Sequence, residues 1–269
     1  APLAGGRRRG GAQTPADVVV GLDNNLIDAA RESGLFAPHG LGHATLDLPV
    51  EARDDTFLPF DWGYFAFVYD RTKLSDPPDS FPALIDRPAS FKVIIQDPRS
   101  STPGLGLLLW VKAAYGDKAP EIWKGLAPHV LTVTPGWSEA YGMFLKGEAD
   151  MVLSYTTSPA YHIIEEKDDT KAAAMFSEGH YLQVEVAARL ASSQEQELAG
   201  RFLSFLLSDA AQAVLPTTNW MYPAVIPAGG LPAGFEKLSI PERALIFTPE
   251  EARSVRDAAL DEWLGALSR

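Results

Sequence analysis

The stretch "FKVIIQDPRSSTPGLGLLLWVKAAYG", residues 91–116, decides the fold. Val93 to Ile95 form a continuous β-branched run, the mark of a strand buried on both faces. The polar loop "QDPRSST" follows. Thr102 is placed to cap a helix, with Pro103 at the first helical position, where its missing N–H leaves nothing unsatisfied. Leu105, Leu108, Leu109 and Lys112 then recur at helical spacing, and Gly116 ends the helix.

The same order of strand, polar loop and helix recurs on both sides. In "ADVVVGLDNNLIDAARESGLF", Val18 to Val20 read as a parallel strand buried on both faces, Asp23 or Asn24 as a cap and Gly34 as a stop. In "ADMVLSYTTSPAYHIIEEK" (149–167), an apolar run ends in Tyr155, a cluster of hydroxyls and Tyr161. The segment before it, "TVTPGWSEAYGMFLKG" (132–147), predicts a helix from Thr134 or Pro135 to Gly147. Trp137, Tyr141, Phe144 and Leu145 fall near one face of that helix.

Further on, "YLQVEVAARL" (181–190) predicts a strand. An amphipathic helix is expected over 194–215, with Leu198, Phe202, Phe205 and Leu206 on one face. A polar loop "PTTNWMYPA", a Pro/Gly-rich passage over 223–234 and a final helix over 249–267 complete the pattern. Alternating strands and helices indicate an α/β architecture. Ligands of such folds bind beyond the carboxyl ends of parallel strands, so "GLDNN", "QDPRSST" and "SYTTSPAY" are the candidate site loops.

Composition narrows the function. The 269 residues carry a formal net charge of −12 and contain no cysteine. The charge disfavours general nucleic-acid binding and favours a neutral or cationic ligand. Without cysteine there are no disulfides, thiolate metal sites or thiol nucleophiles. No apolar run reaches the ~18 residues of a membrane span, and no signal peptide is evident. "APLAGGRRRGGAQTP", residues 1–15, reads as an atypical Gly/Arg-rich tail.

Catalytic constellations are absent. There is no GxSxG, phosphate loop or dinucleotide fingerprint, and no metal motif surrounds His39 and His43. The paired acids at 54–55 and 165–166 read as solvated surface. No metal and no cofactor are therefore expected. The aromatics say more: Trp137, Tyr155, Tyr161 and Trp220 all lie in or beside loops. Each is open to two readings, core packing or a ring lining a cleft, where flat or cationic ligands stack. Trp220, in the aperiodic "TTNWMYP", leans toward the cleft. Ser100, Ser101 and Thr102 serve either as helix caps or as polar ligand contacts.

Taken together, "VVVGLDNNL", "QDPRSSTPGLGLLLW", "GWSEAYGMFLKGE", "LSYTTSPAYH", "FSEGHYLQVEVAAR" and "NWMYP" resemble the bacterial periplasmic thiamine-binding proteins, the solute-binding components of thiamine ABC importers. The resemblance runs from about Thr14 to the C-terminus. It implies a type II periplasmic binding protein fold, with two α/β lobes holding ligand in a cleft. It implies a first lobe of residues 16–66 plus about 216–248, a second of 67–215, and a C-terminal helix of 249–269 packed on them. The implied function is binding of thiamine and its mono- and diphosphates and delivery to a membrane permease, not catalysis, in the periplasm.

Carried over by motif, the ligand-binding residues are Ser101, Trp137, Tyr155, Thr156, Thr157, Ser158, Pro159, Tyr161 and Trp220. Family members begin with a secretion signal, a strand bearing an aromatic, a helix and a second strand. Residues 1–15 stand in their place, so the first lobe is expected to be incomplete and poorly soluble. Two alternatives share the scaffold: a receptor for another small solute such as ferric ion, through Tyr155 and Tyr161, and a nonbinding remnant. A thiamine-degrading enzyme is disfavoured, because that chemistry uses a cysteine nucleophile.

Overall fold

The computed structural model describes residues 14–42 and 45–267. The Arg run of the tail and His43 lie outside the described residues. In chain order the strands are β1 (Val18–Asp23), β2 (Phe36–Ala37), β3 (Leu58–Asp70), β4 (Val93–Gln96), β5 (Val130–Thr134), β6 (Met151–Tyr155), β7 (Lys171–Ala173), β8 (His180–Leu190), β9 (Tyr222–Pro223) and β10 (Ala244–Leu245). The principal helices are α1 (Ile27–Glu32), α2 (Phe81–Ile85), α3 (Thr102–Tyr115), α4 (Ala119–Leu126), α5 (Trp137–Leu145), α6 (Gln196–Leu206) and α7 (Pro249–Leu267).

Two compact units emerge. The first comprises residues up to Gly63, Gln183–Pro232 and Thr248–Arg253; the second comprises Tyr64–Leu182, Ala233–Phe247 and residues from Ser254 onward. The chain passes from one to the other inside β3, inside β8 and inside α7. Residues 183–215 thus belong to the first unit and 233–247 to the second, unlike the division expected from the motifs. Long strands give no local sequence signal where one core ends and another begins.

In the first unit β1 runs antiparallel to β8, with Val19 facing Ala188, and β2 also pairs with β8. The valine run is therefore not a parallel strand buried on both faces. Val19 is buried while Val20 is 41% exposed, because successive side chains point to opposite faces and only one is covered. Asp23 does cap the turn that follows, accepting from the Asn25 N–H at 2.9 Å. Leu58, Phe60, Ala187 and Leu203 form a core, flanked by Val18, Leu41, Leu206, Leu207 and Leu215.

The helix expected over 194–215 breaks into α6 and two short turns, Asp209–Gln212 and Leu215–Thr218. Ser208 starts the second piece by accepting from the Ala211 N–H. On α6, Ala199 and Leu203 are buried and Leu206 packs part-buried on the core, while Leu198, Phe202 and Phe205 of the expected stripe are exposed. Hydrophobic spacing alone cannot tell which of two apolar stripes a core will cover.

In the second unit β4 lies parallel to both β5 and β6, and β6 pairs antiparallel with the second half of β3. One face of this sheet packs Val68, Ile94 and Val152 against Ala140, Tyr141 and Phe144. The other carries an aromatic cluster in which Trp110 lies 5.0 Å from Phe81 and 5.4 Å from Phe176 between ring centroids. Its indole N–H donates to the Gly179 carbonyl at 2.9 Å. His180 closes the cluster. Nδ1 meets the Phe65 carbonyl, Nε2 accepts from the Phe176 N–H, and burial depresses its pKa to about 4. Gly106 lets α3 lie on this sheet, since a Cβ there would come within 2.1 Å of the Phe65 ring.

Candidate functional site

Three strand–loop–helix turns of the second unit deliver the predicted residues. β4, β5 and β6 run in one direction, so their carboxyl ends share one edge of the unit. From the end of β4 the loop leads to Ser101, which precedes α3 with extended dihedrals. The cap position is thus Ser101 and not Thr102, which is already helical. The Ser101 side chain makes no capping bond and is 5% exposed. Ser100 fastens the loop to its neighbour by donating to the Pro135 carbonyl at 2.7 Å. Asp97 accepts from both the backbone and guanidinium of Arg99, which holds its carboxyl below the usual range.

From the end of β5 the chain turns at Gly136 into α5, whose first residue is Trp137. The expected helix start at Thr134 moves on by three residues because Thr134 ends the strand. The Trp137 indole is 39% exposed, a large exposure for so apolar a ring. It is nevertheless held firmly. Its Nε1–H donates to Ser154 Oγ at 2.7 Å, and Ser154 Oγ lies 2.7 Å from Ser158 Oγ. Ser158 Oγ accepts from the Tyr155 N–H at 3.1 Å. Trp137 also stacks on Tyr141 at 4.9 Å and 22°.

From the end of β6 come Tyr155, the buried Thr156, Thr157, Ser158 and Pro159, and then Tyr161. Tyr155 lies 5.0 Å from Phe65 and is part-buried, while Tyr161 is 39% exposed. Thr156 N–H donates to the Tyr64 carbonyl. Thr156 Oγ1 and Gln96 Oε1, buried at the ends of their strands, have no hydrogen-bond partner among the described residues. Eight of the nine predicted residues thus share one end of one unit, in a wall that mixes exposed rings with ordered hydroxyls. Such a wall suits a flat ligand carrying polar edge groups.

Trp220, the ninth, is carried by the first unit. It has φ of +56°, unusual for a bulky residue. Its loop is pinned on both sides. Asn219 Nδ2 donates to Asp61 Oδ2 at 2.6 Å, and Tyr222 stacks on Trp62 at 4.5 Å.

Sequence reasoning missed two groups. Around Asn219 lie two acids, the buried Asp61 on β3 and the half-buried Glu185 on β8. Burial, then the charge of Glu185, holds Asp61 well above the ordinary carboxylate range. Burial, then Asp23, pushes Glu185 up to about 7. Asp61 Oδ1 has no hydrogen-bond partner among the described residues. A lone acid inside the apolar strand "LPFDWGYFAF" was the available signal. The second group is Tyr141 with His162, which back the Trp137 ring; Tyr141 falls four residues after Trp137, one helical turn away. The other paired acids also do more than face solvent: Asp54 caps Thr56 and Phe57 and pairs with Arg31, and Glu166 meets His162. His39 is bound to the Asp54 carbonyl and the Leu41 N–H.

Comparison with known proteins places this geometry. Residues 13–248 match the model of a bacterial extracellular solute-binding protein family. The chain is 58% identical over 262 residues to the thiamine-binding periplasmic protein of Escherichia coli (strain K12), covering 97% of this chain and 80% of that one. It is 50% identical over 259 residues to the thiamine-binding periplasmic protein of Brucella abortus, covering 96% and 78%. A solved periplasmic thiamin binding protein superposes with a TM-score of 0.93 at 58% identity, over 97% of this chain and 82% of that one. Iron-bound HitA from Pseudomonas aeruginosa superposes at 0.75 with 21% identity, over 98% and 87%, which speaks to the type II binding-protein fold alone. The chain belongs to the bacterial extracellular solute-binding proteins and, among them, to the family of thiamine-binding periplasmic proteins.

Proposed function

We propose that this protein binds thiamine and its mono- and diphosphates and hands them to the membrane permease of an ABC importer. The observation that carries the reading is the wall built by Ser101, Trp137 and Tyr155–Tyr161, in a chain 58% identical to a thiamine-binding relative. Thiamine has a flat aminopyrimidine and a permanently cationic thiazolium. An exposed indole held by Ser154 presents a face to either ring. The hydroxyls of Ser101 and of Thr156–Ser158 suit the amine, the hydroxyethyl group or phosphate oxygens. Arg99 is paired with Asp97 and is thus a weaker phosphate anchor than its exposure suggests.

In this reading Trp220, carried by the first unit, is a further ligand-binding ring. The ligand is held and released without turnover, in keeping with the lack of any cysteine. Its place of work is the periplasm, as for the relatives.

Titration calorimetry of thiamine into the purified protein tests the reading. Saturable binding with one site is expected, and the ligand should be recovered intact. Absence of heat with thiamine and both phosphates sinks the proposal. Ferric loading is the contrasting arm: a coloured iron complex that excludes thiamine would replace thiamine as the cargo.

A further inference from the structure

Behind the Trp137 wall the second unit carries a set of donors outside the predicted ligand-binding residues. Residues His162–Glu166 form a π-helical turn, and Lys167 ends it in the left-handed conformation at φ +56°. The wide turn folds the chain back so that the Asp168 N–H donates to the His162 carbonyl at 2.9 Å. His162, Glu166 and Asp168 consequently each present one ligand atom, and the three atoms lie within 4.8 Å of one another. A cavity of about 390 Å³, lined by His162, Glu166 and Lys171 among others, opens beside them.

We propose that His162, Glu166 and Asp168 form a binding site for a divalent transition-metal ion of the zinc class. One imidazole nitrogen and two carboxylate oxygens are a donor set suited to zinc, cobalt or manganese rather than to an alkaline-earth ion. Ligand atoms about a tetrahedral zinc stand about 3.3 Å apart, given metal–ligand bonds of ~2.0–2.2 Å. The 2.6 Å contact between His162 Nδ1 and Glu166 Oε2 must therefore open, and the longest separation must close. Both carboxylate side chains are partly exposed, at 45% and 33%, so side-chain torsions alone achieve this.

The buried imidazole is already oriented from behind. Its Nε2 lies 2.9 Å from Tyr141 Oη, and the two rings stack at 5.9 Å and 21°. With metal on Nδ1 the ring carries its proton on Nε2 and donates to Tyr141 Oη. That is the outer-shell hydrogen bond metal-bound histidines ordinarily make. Lys171 is the competitor. Its ammonium lies 3.3 Å from Asp168 and 3.0 Å from Asp70. When metal takes Asp168, Lys171 keeps Asp70. The other cations lining the cavity are Lys73 and Lys92, the latter held by the Pro128 carbonyl. Metal would also be felt at the ligand wall, because Tyr141 stacks on Trp137.

The test is equilibrium dialysis of the untagged full chain against zinc, with magnesium as control and cobalt as a spectroscopic probe. One zinc per chain is expected, with a change in tryptophan fluorescence on binding. His162→Gln should weaken binding about 100-fold and Asp168→Asn about tenfold. Lys171→Met should tighten it several-fold, since removing the competing ammonium frees Asp168. Asp168→Asn alters only a part-exposed side chain, so it remains informative if His162→Gln fails to fold. Cobalt should give the visible absorption of a nitrogen/oxygen site, titrating in at about tenfold higher cobalt in the Asp168→Asn variant. The proposal is overturned if zinc binding is substoichiometric, or if Asp168→Asn and Lys171→Met both bind as the parent does.

Discussion

At the residue scale the wall depends on a few polar anchors rather than on the rings alone. Trp137 is exposed yet fixed, because Ser154 accepts its indole N–H and Ser158 supports Ser154. Ser154→Ala removes that acceptor and frees the ring to rotate. Thiamine affinity should fall by about five- to tenfold, in line with a lost hydrogen bond of ~1 kcal/mol. Calorimetry would read the loss, and unchanged affinity would show that the ring is positioned by Tyr141 stacking instead. Trp220→Ala should weaken thiamine binding by more than about tenfold, as loss of an aromatic face to a cation does. Parent-like affinity would remove Trp220 from the site. The indole of Trp137 and the hydroxyl cluster were legible as residue types in the sequence. Their hydrogen-bond order was not, because Trp137 and Ser154 are 17 residues apart and meet only through the sheet.

At the element scale, glycine and apolar spacing have separate meanings. Gly106 sits where α3 meets the Phe65 ring, and an added Cβ would overlap it. Gly106→Ala should lower stability by ~1–3 kcal/mol through overpacking, read as a lower melting temperature without new exposed surface. In α6 the two apolar stripes should respond oppositely. Leu203→Ala opens a core cavity and should destabilise the protein by ~2–5 kcal/mol, whereas Phe202→Gln on the exposed stripe should change little. Equal effects would mean that the exposed stripe is covered in solution. The sequence pattern located α6 and α3, but in α6 it could not choose the face, since periodicity is blind to which stripe finds a partner.

At the scale of the whole molecule, buried acids make stability depend on pH. Glu185 titrates near 7 in the folded chain against an ordinary 4.5. The folded state therefore binds more protons than the unfolded state between about pH 4.5 and 7. This group's effect is a stability that falls as pH rises through that window and levels off above it. Melting curves should show Glu185→Gln more stable than the parent at pH 8, with the difference shrinking toward pH 5. A constant difference across that range would mean that Glu185 is not the group responsible. By itself the sequence determined the α/β class, the strand–loop–helix order around Ser101, Trp137 and Tyr155, and the family. All of these rest on local spacing, turn chemistry and long ordered motifs. Only the tertiary structure decided that β1 is antiparallel with one face open, that 183–215 joins the first unit, and that Asp61, Glu185 and Asn219 converge. It likewise decided that His162, Glu166 and Asp168 face one point. Strand pairing and burial bring together residues that local sequence leaves unrelated, and desolvation then changes their chemistry.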